Sequence, residues 1–488
     1  MSRLVALVAI VIASGCGSAP PEKQVVADAA QALGGADRLA AVKSLGIEGT
    51  GTAPNAGQNR MPYDELPVWK VTEYKRTIDL ANGRTLVQQV REAQFLFAGD
   101  LVQRQTQGLD GNVAYNRDAS GTATRAGDAA ARERRVELLH HPITVMRAAL
   151  DPAAKLANLR EEDTEQLVDV TTASGDAVTL ALSSQTHLPV RVVSMSDNAN
   201  MGDVAIVTTF ADYEDVGGVK LPRRLTMMMD KYLQLDVTVA RNRLDVDVAD
   251  LAAPAVVTSA AAPVPSPVVV TAEPVGKGIW WLAGSGNHRS VVFEFADHLV
   301  LYEAPLNEAR TQAVIDKART LSAKPLTMAI VSHHHFDHSG GLRTAVAEGL
   351  TIVTHRDNEM FFKDLLARPH TIVADVLQKN PREAKFLFVD DQMTLKDAAM
   401  EVQLYHLVDN PREGTNLFAY VPRERMLVQA DLYDSTWLRH SWGENVLTNI
   451  ERRKLAVDRD VPVHGAIEPF AQMVATIKAK PGTVTATN

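Results

Sequence analysis

A single cysteine, Cys16, stands in 488 residues. A chain with one thiol cannot close a disulfide on itself, so no covalent framework holds this fold. Positive charge is also short. Lys and Arg number 50 against 59 Asp and Glu, a net charge of −9. That balance lacks the basic face that general nucleic-acid binding needs. After the first residues, no apolar run is long enough for a membrane-spanning helix. What remains is a folded chain with ample core material, 46% of it hydrophobic. Its length exceeds what one core usually serves, so two domains are expected.

The N-terminus is the exception to the missing apolar runs. Met1-Ser2-Arg3 is a short basic head, and Leu4 to Ala13 is almost wholly apolar. The run is too short to span a bilayer and has signal-peptide proportions. Ala13-Ser14-Gly15-Cys16 resembles a bacterial lipobox, with Ala in the place usually held by Leu or Val. Residues 1–21 therefore read as leader and tether. Cys16 is expected to carry the lipid anchor, which would place the chain on the periplasmic face of a bacterial membrane. An ordinary secretory signal cleaved nearby would leave it exported without the anchor.

Residues 22–250 read as a β-rich domain with helices. Glu22 to Leu33 is helix-like and stops at Gly34-Gly35. Residues 129–150 are helical apart from Pro142, which should break the helix. His140-His141 is expected on the helix surface. Alternating segments at 86–97, 101–107, 168–172, 177–182, 190–194, 204–213 and 233–239 read as antiparallel strands, with a hairpin-like turn at Asp215 to Val219. The pattern is similar to the half-barrel of periplasmic lipoprotein carriers. No catalytic constellation is visible in this region. A linker at 251–267 carries Pro254, Pro263, Pro265 and Pro267 and no charge, which predicts an extended spacer.

The chemistry is concentrated after the linker. His333-His334-His335-Phe336-Asp337-His338 follows the strand-like Thr327 to Ser332 and runs into Ser339-Gly340-Gly341. A strand ending in imidazoles and a carboxylate, then turning through glycines, points to a metal site at the mouth of a sheet. The run is internal and broken by Phe and Asp, unlike a tag. His333 and His335 lie close enough to share one ion, and Asp337 and His338 can turn towards a second.

This run resembles the signature of the metallo-β-lactamase fold superfamily, over about residues 270–475. The resemblance implies an αββα sandwich for a domain at 268–478, which suits the alternation of strands and helices there. The whole chain is then α+β with two domains. It also implies further ligands: Asp431, ending Met426 to Ala430, as a bridging carboxylate, and His464, in Val461-Pro462-Val463-His464-Gly465, as the last ligand of the second ion. One histidine of the superfamily is missing. Counting back from Tyr420 and Pro422, its place falls on Arg412, which stays protonated and repels a cation. His406 and Glu413 are candidate replacements, although His406 suits an ordinary strand position and Glu413 a solvated loop. On this reading the first ion is held less tightly than the second. Arg412, Arg439 and His440 are candidates for gripping an anionic substrate, while Trp437 and Trp442 either line the pocket or pack the domain.

The expected function is an exported metal hydrolase. One or two ions, zinc first with iron or manganese open, would supply hydroxide to an ester, thioester, lactone or related bond of a small molecule. Asp337 would orient the nucleophile. Asp431, where dedicated β-lactamases carry Cys or Ser, points to the broader hydrolase branch. Two other readings stay open: a degenerate binding protein, supported by Arg412, and an iron-dependent sulfur oxygenase. The sequence shows no obligate protein partner.

Overall fold

The computed structural model describes residues 20–95, 101–284, 286–437 and 439–480. The leader and Cys16 lie outside the described residues.

The first half of the chain builds one antiparallel sheet of 13 strands. Its centre is Ser44–Pro54, paired on one side with Val68–Asp79 and on the other with Tyr232–Leu244, so the last strand returns beside the first. The first two of these strands were not legible in sequence. Ser44–Pro54 carries three glycines and reads as a loop. Gly51 is needed there because a Cβ would sit 1.9 Å from the Asp236 carbonyl oxygen, a close backbone approach that only glycine allows. Helices Pro21–Leu33 and Pro142–Leu150 pack on this sheet. Val26, Ala29, Ala30 and Leu33 recur at helical spacing and meet Ile143, Val145, Met146, Leu45 and Val237 in one core.

Pro142 ends one helix, Asp128–Leu138, and opens the next at its first position, where its missing N–H costs nothing. The two histidines before it correct the surface expectation, because both are buried. His140 spans the Thr208 and Ser194 hydroxyls at 2.9 Å each. His141 caps the second helix, its Nδ1 accepting from the Ile143 N–H at 3.3 Å.

The linker differs from an extended spacer in its first part. Ala255–Ser259 forms a short helix entered from Pro254. Leu251 and Val257 are buried against Leu86 and Tyr115 of the large sheet. The prolines forbid a long helix but not one turn that starts just after Pro254.

The second half holds two sheets face to face. Seven strands from Thr271–Gly276 to Lys385–Val389 form one, and six from Gln392–Lys396 to Glu468–Pro469 the other. Phe293, Tyr302, Val353, Leu404, Ala419 and Val428 fill the space between them. Helices Glu308–Arg319, Leu342–Ala347 and Glu359–Ala367 bury Val314, Val346 and Phe362 on the outside of the first sheet. Helices Gly443–Arg452 and Phe470–Ala479 bury Val446, Ile450 and Met473 on the outside of the second. The layers run helix, sheet, sheet, helix, as the strand and helix order suggested.

Candidate metal centre

Strand Leu326–Ile330 lies inside the seven-stranded sheet, so the chain leaving it emerges at the edge of the sandwich. His333 and His335 project from the turn that follows, and Phe336–Ser339 forms a single helical turn carrying Asp337 and His338. Asp431 follows strand Met426–Gln429 of the other sheet with φ of 60°. A left-handed conformation at a non-glycine residue is held only where the surroundings demand it. His464 follows Arg459–Pro462, the next strand along. Parallel neighbours ending at one edge thus bring Asp431 and His464 to the same point.

Two groups of ligand atoms form there, each within the reach of one ion. His333, His335, Glu413 and Asp431 make the first, and Asp337, His338, Asp431 and His464 the second. Asp431 belongs to both. The gap expected at Arg412 is filled by its neighbour Glu413. The Asn410 side chain accepts from the Arg412 and Glu413 amides at 2.8 and 3.0 Å, forming a tight turn. That turn places Glu413 3.1 Å from His333 Nε2 and 3.3 Å from His335 Nδ1. Sequence alone favoured a solvated charge here, whereas the side chain is 1% exposed.

Each histidine turns one nitrogen to the centre and ties the other behind it. His333 Nδ1 meets the Ser332 hydroxyl at 2.8 Å, and His338 Nδ1 meets Glu303 at 2.8 Å. His335 Nε2 lies 2.9 Å from the Asn59 carbonyl oxygen, and His464 Nδ1 2.6 Å from that of Asn287. Such outer partners fix the tautomer, leaving lone pairs on His333 Nε2, His335 Nδ1, His338 Nε2 and His464 Nε2. The carboxylates give the complementary sign. Glu413 Oε1 and Asp431 Oδ1 are buried with no hydrogen-bond partner. Buried carboxylate oxygens without donors are costly unless a cation answers them. Seven side chains of imidazole and carboxylate type with two orphaned oxygens fit one or two divalent ions.

The titration behaviour follows from the same crowding. Burial pushes the Asp431 carboxyl up, but His338 and His464 outweigh it and hold the group well below its ordinary range. His338 is driven well above its ordinary value against burial, by Asp337, Asp431 and Glu303. His333 is held well below its own, first by burial and then by His338 and His335. Asp337 is the ligand most open to solvent, 25% exposed.

The other candidates fall elsewhere. His406 is not part of either group. Its Nε2 meets the Gly414 carbonyl oxygen at 2.8 Å and its ring lies on that of His355, so it supports the turn that presents Glu413. Arg412 is nearly buried. Its guanidinium donates to the carbonyl and side-chain oxygens of Gln58 and lies 3.6 Å from Asp431. His440 is buried and stacks on Tyr433, and Arg439 is exposed on the same loop. Trp437 and Trp442 do both things proposed for them. They touch each other in a core and also line a polar mouth of about 220 Å³ over Asp337, Asp431 and His464.

Sequence reading missed the contribution of the first half of the chain. Residues 55–67 leave the large sheet between Ser44–Pro54 and Val68–Asp79 and close on themselves, Asn55 N–H to Pro67 O at 2.7 Å. This strap crosses to the metal centre. Asn59 supports His335, the Gln58 amide reaches Asp337 at 3.4 Å, and the Gly414 N–H donates to the Arg60 carbonyl at 2.9 Å. Gly and Pro around these residues signal a loop, but nothing local names a partner some 275 residues away.

Comparison with solved structures gives matches that cover less than half of this chain. The C-terminal half is similar to metallo-β-lactamases. One from Pontibacter korlensis has 16% identity and a TM-score of 0.34, covering 43% of this chain and 97% of its own. One from Pseudomonas aeruginosa, solved in a mono-zinc form, has 17% identity and a TM-score of 0.35, covering 44% and 96%. One from Hirschia baltica has 14% identity and a TM-score of 0.35, covering 44% and 100%. No family model matches the chain, and no curated protein matches it. At these identities the likeness concerns fold alone, and the case for a metallo-β-lactamase-like centre rests on the ligand geometry above.

Proposed function

We propose that the protein is a metal-dependent hydrolase of a small molecule carrying an ester, thioester, lactone or related bond. The observation that carries this reading is the pair of ligand groups sharing Asp431 beneath an open polar mouth. Divalent ions held there would supply Lewis acidity and lower the pKa of a coordinated water towards neutrality. Zinc suits the mixed imidazole and carboxylate set, and manganese or iron accept the same donors.

The chain's own groups divide the remaining work. Asp337, open to the mouth and within 3.3 Å of His338, is placed to accept and return a proton next to the scissile bond. The Gln58 amide and Asn287 at the rim are placed to orient polar atoms of the substrate. Trp437 and Trp442 close one side of the mouth and limit the water in it. Arg412, engaged with Gln58, Glu413 and Asp431, balances the carboxylates. We further propose that the mature chain is exported and held at the membrane through Cys16.

The test is a panel of p-nitrophenyl esters, thioesters and lactones assayed before and after chelation, then after restoring zinc, manganese or iron. Turnover that is lost with chelator, returns with metal and is abolished by Asp431→Asn supports the reading. Full activity in chelator, or none on any class with the metals bound, contradicts it.

A further inference from the structure

A second cavity lies on the other side of the strap. It encloses about 380 Å³, within the range of small-molecule sites. Both halves of the chain build its walls. Tyr63 comes from the strap and Tyr232 from the large sheet, while Phe336, Phe361 and Leu365 come from the metal-binding half. The rings are set against one another: Tyr63 edge-on to Phe361 at 5.9 Å, and Phe361 tilted to Phe336 at 6.2 Å. Gly57 makes the near wall. A Cβ there would come within 2.9 Å of the Phe336 ring, so the strap approaches closely only because the residue is glycine, at φ of 71°.

Charge is distributed unevenly around this apolar box. Tyr63 OH donates to Asp364, and Arg368 is spent on Asp230 and on the Met201 and Asp203 carbonyls. Lys231 differs. Its ammonium lies over the faces of Tyr63 and Tyr232, 4.7 and 5.4 Å from the centroids, and forms no ion pair among the described residues. An aromatic box with a cation at its lip that has no ion-pair partner among the described residues has the chemistry of a site for an apolar chain ending in an anion.

We propose that this cavity binds the chain of an alkyl carboxylate, with its head at Lys231, as a site separate from the metal mouth. The strap is its shared wall, since Gly57 and Asn59 face the cavity while Gln58 faces the metal mouth. The proposal does not depend on the hydrolase reading, because occupancy can be measured without turnover.

The test is calorimetric titration of the full chain with octanoate and with octanol, with and without EDTA. Octanoate is expected to bind at one per chain, about threefold to fivefold more tightly than octanol, the margin an exposed ion pair supplies. Lys231→Gln should remove that margin and leave octanol binding unchanged. Ala367→Trp, which fills the cavity from an exposed helix end, should weaken both ligands by about tenfold or more. EDTA should change neither affinity. Binding of octanoate that vanishes in EDTA would place the carboxylate on the metals and overturn the proposal. Equal affinity for the two compounds, insensitivity to Ala367→Trp, or no saturable binding would overturn it as well.

Discussion

The residue that changes the account most is Glu413. With it, each ion-sized group has two imidazoles and two carboxylate oxygens, so the two sites are matched rather than one being a remnant. Glu413→Gln removes a charged ligand from the first site only. Elemental analysis should show about one ion lost per chain, with the second retained. Glu303 offers a complementary case, because it touches no ion position and orients His338. Glu303→Ala should weaken the second site by about 10–100-fold in a chelator competition, the cost usual for an outer partner of a ligand histidine. How much of this was legible varies by residue for physical reasons. His333, His335, Asp337 and His338 sit in one short motif whose spacing alone implies a shared ion. Asp431 and His464 are spread along the chain, and only the resemblance to the superfamily singled them out at the ends of their strands. Glu413 was obscured by its neighbour, since a one-residue difference in a tight turn decides which side chain points inward. Glu303 and Asn287 carry no local signal at all.

At the scale of elements, the strap is the feature that joins the two halves. Its hold on the metal centre runs through backbone groups, the Asn59 carbonyl to His335 and the Arg60 carbonyl to Gly414, and backbone acceptors cannot be foreseen from residue type. Asn59 also clamps the strap internally, its side-chain amide donating to the Met61 carbonyl at 2.5 Å. Asn59→Ala should therefore cost about 1 kcal/mol of stability. It should also weaken the first ion by about tenfold while leaving the second unchanged, which metal titration would read directly. The remaining elements sort by the strength of their local pattern. Helix Pro21–Leu33 and the turn between 216 and 219 were readable because periodicity and punctuation agree. Ser44–Pro54 was not, because glycines demanded by close backbone packing look locally like a loop.

The whole molecule should be sensitive to acid for a reason outside the metal centre. Burial, and then the Arg76 charge, depresses His140 and His141 from 6.5 to about 3. Native rings then stay neutral while those of the unfolded chain take up protons below pH 6.5. Stability should therefore be full above pH 6.5 and fall as the pH drops towards 3, by on the order of 4 kcal/mol for each ring. His140→Gln should flatten the dependence of the melting temperature on pH between 6.5 and 4, and an unchanged slope would count against this cause. For the exported state, a Cys16→Ala chain should be recovered without detergent, whereas the native chain should require it. The central claim, that two complete ligand groups share Asp431, is tested most directly by counting metal. Inductively coupled plasma analysis of the purified chain, equilibrated with zinc and freed of excess, should give two ions per chain, and Asp431→Asn should reduce both. A native chain that holds a single ion at saturation, or an Asp431→Asn chain that still holds two, would contradict the account.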